Sequence, residues 1–162
     1  MRHGLAEDRE EFAKKSSEDS LRPLTMRGRK RTQRVAMQLR EWIDEVDLIV
    51  SSPYTRARQT AELVSQIFID TKVIEAAELV PSGPPQAFLR WLRAHGDDYK
   101  RIVAVGHEPQ LSILASFLLA GQIEPLLEIK KSGVLCLKME SFKFIVPGAA
   151  KIVWLLQPRH FN

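Results

Sequence analysis

Cys136 is the single cysteine in 162 residues, which rules out an internal disulfide and any cysteine-rich metal site. No apolar run approaches the ~20 residues needed to span a bilayer, so no membrane association is expected. Neither an internal repeat nor a low-complexity tract is present. Behind Met1-Arg2-His3-Gly4 there is no apolar stretch of the secretory kind and no lipid-attachment motif, and the cytoplasm is the expected compartment. Acidic residues are missing from Met26 to Arg34, where five basic residues stand. Aromatic residues are missing there too, and with no recognisable nucleic-acid motif that absence argues against a nucleic-acid reader.

What is present fits a soluble globular chain, with 44% hydrophobic and 27% charged residues. Residues 1–162 are expected to form one domain, able to bury roughly 70% of its unfolded surface. The net charge of +4 is modest and unevenly spread. On a helix Arg27, Arg31 and Arg34 share one face, which reads as a solvated surface, with an anionic partner as the alternative. Cys136, inside Val134-Leu135-Cys136-Leu137, reads as a buried strand residue.

Strand-like and helix-like patterns alternate. Glu7 to Ser20 is charged and loop-like. Thr25 is a candidate N-cap for a helix carrying Val35, Leu39, Trp42 and Ile43 on its apolar side. Asp47 to Ser52 reads as a short buried strand, and Tyr54 to Phe68 as a helix with Ala57, Thr60, Ala61, Val64 and Ile67 at helical spacing. A strand near Val73 and Ile74 leads to a Pro-rich loop, Pro81 to Pro85, and a helix bearing Phe88, Leu89, Trp91 and Leu92. Arg101 to Gly106 is the clearest strand, and Pro109 suits the first position of the helix running to Ala120. Gly133 to Glu140 and Lys151 to Gln157 read as a closing strand pair around a Pro147-Gly148 turn. This succession implies an α/β layered domain with a mostly parallel sheet and ligands beyond the carboxyl ends of its strands.

Phosphoryl transfer to a side chain requires an unprotonated nucleophile, cations for the equatorial oxygens and in-line placement. Arg2-His3-Gly4 can supply a histidine nucleophile, an arginine beside it and a small residue that lets backbone come close, although three terminal residues alone equally suit a disordered end. In Ser51-Ser52-Pro53-Tyr54-Thr55-Arg56-Ala57-Arg58-Gln59-Thr60-Ala61, Arg56 falls in the first turn of a helix just beyond a strand end, where an anion is favoured. Val105-Gly106-His107-Glu108-Pro109 places His107 at the equivalent corner.

These three motifs, in this order, resemble the histidine phosphatase superfamily, also called phosphoglycerate-mutase-like. Arg22-Pro23-Leu24-Thr25 with Gly28, Glu78-Leu79-x-Pro81-x-Gly83, and Trp154-Leu155-Leu156-x-Pro158 are similar to its small SixA-type branch of phosphohistidine phosphatases. The resemblance implies a three-layer α/β/α sandwich and a phosphate pocket of Arg2, His3, Arg56 and His107, with Gly4 also binding phosphate. It implies that His3 attacks phosphorus, that Arg2 and Arg56 bind phosphoryl oxygens, and that His107 donates a further hydrogen bond, with no metal or other cofactor. The expected substrate is phosphohistidine on a partner protein, such as a histidine-containing phosphotransfer domain. A small phosphate ester is the alternative substrate, and a pocket retained only for binding phosphoproteins or nucleic acid is the alternative of another class.

Other residues stay open. Arg22 either contacts the substrate or pairs with Glu18 or Asp19. Glu78 and Glu108 are the nearest candidates for a general acid or substrate contact, or else neutralise a basic pocket. Arg58 faces away from Arg56, and His95 and His160 match no motif. In the family a central strand runs directly into Arg-His-Gly, whereas this sequence has only Met1 before it, so a first strand is expected to be missing from this numbering.

Overall fold

The computed structural model describes residues 1–69 and 71–158. Among the described residues five helices and five strands follow in order: α1 (Arg9–Ala13), α2 (Met26–Trp42), β1 (Leu48–Ser51), α3 (Thr55–Ser65), β2 (Lys72–Glu75), α4 (Pro85–His95), β3 (Ile102–Val105), α5 (Gln110–Ala120), β4 (Val134–Lys138) and β5 (Lys151–Leu156). One-turn 3-10 helices form at Asp19–Leu21 and Ala77–Leu79. The parallel sheet has the order β2-β1-β3, and β4 and β5 form an antiparallel ribbon.

The central strand β1 shows why the fold has three layers. Leu48, Ile49 and Val50 are all fully buried, as a strand covered on both faces must be. Successive side chains alternate: Ile49 joins one core with Val35 and Leu39 of α2 and Ala57, Ala61 and Val64 of α3. Leu48 and Val50 join the opposite core with Phe88, Leu89 and Leu92 of α4 and Leu114, Phe117 and Leu118 of α5. Each valine, leucine, isoleucine or phenylalanine among them contributes roughly 1.5–3 kcal/mol on full burial. Two helices therefore cover each face of the sheet.

Residues 1–3 lie between the sheet and the ribbon. The Gly106 amide donates to Met1 O and the His3 amide to Gly106 O, while the Arg2 amide donates to Gly133 O at 3.0 Å. Arg2 pairs with Gly106 in parallel. The ladder on that side of β3 is thus made by the three residues that end in His3.

Local structure departs from the sequence reading at four places. Within the expected loop from Glu7 to Ser20, α1 forms because the Asp8 carboxylate caps the Glu10 and Glu11 amides. Five residues are too few to show apolar periodicity. Pro109 is the N-cap of α5, one residue before the position expected. Trp42 is 52% exposed and makes an edge contact with Trp154 instead of entering the core. Cys136 is half-buried, not fully enclosed. Thr25 does cap α2, its Oγ1 accepting the Gly28 amide at 2.9 Å.

Gly28 sits where α2 crosses the strand-like segment after His3. A Cβ there would lie 2.0 Å from Leu5 O. Alanine ordinarily stabilises a helix over glycine by about 1 kcal/mol. Here Gly28→Ala should instead destabilise by about 1–3 kcal/mol, the scale of an overpacked core, measured as a lower denaturant midpoint. An unchanged or raised midpoint would contradict this packing.

Candidate active site

Three segments meet at the carboxyl ends of β1 and β3. Ser51 pairs with Val105 in parallel register, and the Ser52 amide donates to Val105 O at 2.9 Å. One residue past Gly106 comes His107, and His3 is held to Gly106 O from the other side. The His3 and His107 rings lie 5.0 Å apart. Arg56, in the first turn of α3, completes the group and is 4% exposed. These residues and Arg2 line one cavity of about 740 Å³, together with Tyr54, Pro81, Arg22, Lys131, Asp19 and Glu108 among others.

The hydrogen bonds assign the His3 tautomer. Nδ1 is 2.7 Å from Gly4 O, and since a carbonyl only accepts, Nδ1 carries the proton and Nε2 keeps its lone pair. Burial pushes the His3 pKa down to about 3, against the raising effect of the Gly4 bond, with Arg56, Arg2 and Arg22 lowering it further. Burial is thus a larger cause than the arginines that the sequence suggests. His107 is lowered to about 3 by burial, then by His3 and Arg56. Both imidazoles are neutral near pH 7. Burial also lowers the pKa of Arg2 and Arg56, against Glu108 for the first and Asp19 for the second, but a guanidinium stays charged.

Each arginine is anchored by hydrogen bonds to other segments of the chain. Arg2 donates through one terminal nitrogen to Ile129 O at 2.9 Å. Arg56 donates to Asp19 O at 2.8 Å, and its other terminal nitrogen stands 3.0 Å from the Asp19 carboxylate. Its Cζ lies 4.9 Å from the Tyr54 ring centre, a cation–π distance. Asp19 also accepts from Arg22 Nε at 2.8 Å. Although burial opposes it, these two arginines hold the Asp19 pKa below its ordinary value. Buried Arg2 Nε, Arg56 Nε and His107 Nδ1 have no hydrogen-bond partner among the described residues. All three belong to residues lining the cavity, and an oxyanion suits donors of this kind.

Arg2, His3, Arg56 and His107 are therefore brought together. Arg22 lines the same cavity and pairs with Asp19. Gly4 is placed differently: its amide donates to Thr60 Oγ1 and its carbonyl holds His3, so its backbone is already engaged. A Cβ on it would lie 2.5 Å from Thr32 Oγ1, so packing against α2 requires the glycine. Glu78 is outside the cavity lining, and its backbone carbonyl lies 3.4 Å from Gln110 Nε2. Glu108 does line the cavity, but its Oε1 accepts from Ser112 Oγ at 2.8 Å and the Ile129 amide at 3.2 Å. Arg58 pairs with Glu75 away from the cavity, and exposed His95 stacks on Trp91. His160 lies outside the described residues.

Some site residues were not singled out by the sequence reading. Asp19, known there only as a partner for Arg22, is the main anchor of Arg56. Lys131 lines the cavity from the turn before β4, with no motif to reveal it. Gln59 and Thr60 were legible as motif letters without a role. Gln59 Oε1 accepts the Leu24 amide at 2.8 Å, and Thr60 Oγ1 bonds both the Gly4 amide and Arg56 O.

Comparison with known proteins agrees with this geometry. Residues 1–79 match the Histidine phosphatase superfamily (branch 1). An uncharacterised protein of Picosynechococcus is 38% identical over 153 residues, covering 94% of this chain and 86% of its own length. Phosphohistidine phosphatase SixA of Escherichia coli is 28% identical over 128 residues, covering 78% of this chain and 76% of its own. The solved structure of protein histidine phosphatase SixA complexed with tungstate superposes with a TM-score of 0.83 at 24% identity, covering 100% of this chain and 97% of that one.

Burying two neutral histidines makes stability depend on pH. Each titrates near 6.5 when unfolded and near 3 when folded, so between these values the unfolded chain binds more protons. Stability from this source is full above about pH 6.5 and is lost as pH falls toward about 3, by at most about 1.4 kcal/mol per pH unit for each ring. Denaturant unfolding at pH 7 and pH 5 should show this slope, reduced in His107→Gln. An equal slope in the variant would refute the assignment.

Proposed function

Because the chain belongs to the histidine phosphatase superfamily, we propose that it is a phosphatase working through a phosphohistidine at His3 and acting on phosphohistidine of a partner protein. The observation that carries this reading is the His3 Nδ1 bond to Gly4 O, which leaves Nε2 as a lone pair in a cavity shared with half-buried Arg2 and buried Arg56. In the first step Nε2 attacks phosphorus and the bond to the leaving group breaks. The leaving group takes the electron pair and a proton. Water then attacks phosphorus, the P–Nε2 bond breaks, and His3 is regenerated. Arg2, Arg56 and His107 bind the equatorial oxygens, where charge develops.

The leaving group favours phosphohistidine. A departing imidazole can take a proton from solvent on its other nitrogen, whereas an alkoxide normally needs a positioned donor worth about 10²- to 10⁴-fold in rate. Glu78 is outside the cavity lining, and one Glu108 oxygen is held by Ser112 and Ile129. Only residues 66–71 separate α3 from β2, too few for a lid domain, and the cavity has room for a side chain projecting from another protein. The second reading, a phosphatase for small esters, rests on Glu108 lining that cavity as a possible proton donor.

Quenching turnover with labelled substrate under conditions that avoid acid should trap an acid-labile phosphoryl group on His3, absent in His3→Ala. Label on Ser51, Ser52 or Cys136 would end this mechanism. Arg56→Ala and His107→Ala should each lower turnover roughly 10²-fold, the usual loss for one transition-state donor.

The leaving-group argument has its own test. Glu108→Gln should keep phosphohistidine turnover within about tenfold of wild type, since no proton donor is required. Efficient hydrolysis of an alkyl phosphate that collapses in Glu108→Gln would establish the ester reading instead.

A further inference from the structure

Ser52 is wholly buried, and its Oγ lies 2.8 Å from His107 Nε2. The same oxygen accepts the Tyr54 amide at 3.4 Å. The position follows from sheet register: Ser51 pairs with Val105, and Ser52 follows directly, bonded by its own amide to Val105 O. His107 Nδ1, at the other side of the ring, is buried with no partner among the described residues.

Two proton arrangements are possible across the 2.8 Å bond. If the ring donates from Nε2, the serine hydrogen has no other acceptor among the described residues and Nδ1 is a bare lone pair. Two groups are then unsatisfied, and the lone pair would repel a phosphoryl oxygen. If the serine donates, its oxygen still accepts the Tyr54 amide, and a single group is left over, the Nδ1–H. A buried donor without an acceptor is costly, and a phosphoryl oxygen supplies the missing acceptor. Burial and the nearby cations keep the ring neutral, which removes the imidazolium form that would donate from both nitrogens.

Resting on the assignment of His107 to the phosphoryl site, we propose that Ser52 is a positioning residue: its hydroxyl donates to His107 Nε2, fixing the tautomer whose Nδ1–H binds the transferring phosphoryl group. Ser52 does not touch the substrate. Its effect is to make the one available ring proton reside on the nitrogen that needs it.

Nitrogen-15 NMR of histidine-labelled protein tests this, with His107 assigned by the signal missing from His107→Gln. The wild type should carry its proton on Nδ1. In Ser52→Ala the signal should shift toward the Nε2–H form and turnover should fall roughly tenfold, the scale of one neutral hydrogen bond. Ser52→Thr, which keeps the hydroxyl, should recover both; should it not fold, the wild-type and alanine spectra still decide. A wild-type proton on Nε2, or an unaltered tautomer in Ser52→Ala, overturns the role of Ser52. Near wild-type turnover in His107→Ala overturns the placement of His107 itself, so the two failures are distinguishable.

Discussion

The parallel pairing that sets residues 1–3, β3 and β1 side by side is the constraint on which the site depends. Gly106 bonds Met1 and His3 on one side, and Val105 bonds Ser52 on the other. A strand shifted by one residue reverses the direction of every side chain. His3, Ser52 and His107 therefore meet only at this register. It is defended by the core, since the same slip would exchange Ile49 with Leu48 and Val50 between two differently shaped cores. Stability of the sheet and geometry of the site are one requirement.

Burial and charge then act against each other. Removing His3 and His107 from water keeps them neutral, and the attack proposed for His3 requires that of its own ring. The same burial disfavours Arg2 and Arg56, which must stay charged to bind an anion. Asp19 and Glu108 resolve the conflict by attracting the guanidinium groups, and a backbone carbonyl takes one terminal nitrogen of each. An isolated buried guanidinium would be costly, whereas one anchored in this way keeps its position ready for phosphate. Asp19 thus earns attention as a structural partner of the site even though no motif contains it.

Gln59 and Thr60 show a second use of a motif. Thr60 ties the Gly4 amide to the Arg56 carbonyl, joining the segment that bears the nucleophile to the helix that bears the arginine. Gln59 ties Leu24, and so the loop carrying Asp19 and Arg22, to the same helix. Neither side chain is needed to contact phosphate for its place in the motif to be explained.

The sequence by itself determined the layered α/β pattern and the capping of α2 by Thr25, through periodicity and a capping side chain, and its resemblance to a known family singled out Arg2, His3, Arg56 and His107, which the fold brings to one cavity. It could not show that Asp19 holds Arg56 across 37 positions, that Gly4 packs on Thr32 instead of facing an anion, or that Lys131 reaches the cavity. Nor could it rank burial above the arginines in lowering the His3 pKa. Those depend on distances between segments remote along the chain and on how much water each group loses, and both are fixed only when the sheet register and the packing of α2 and α3 are complete.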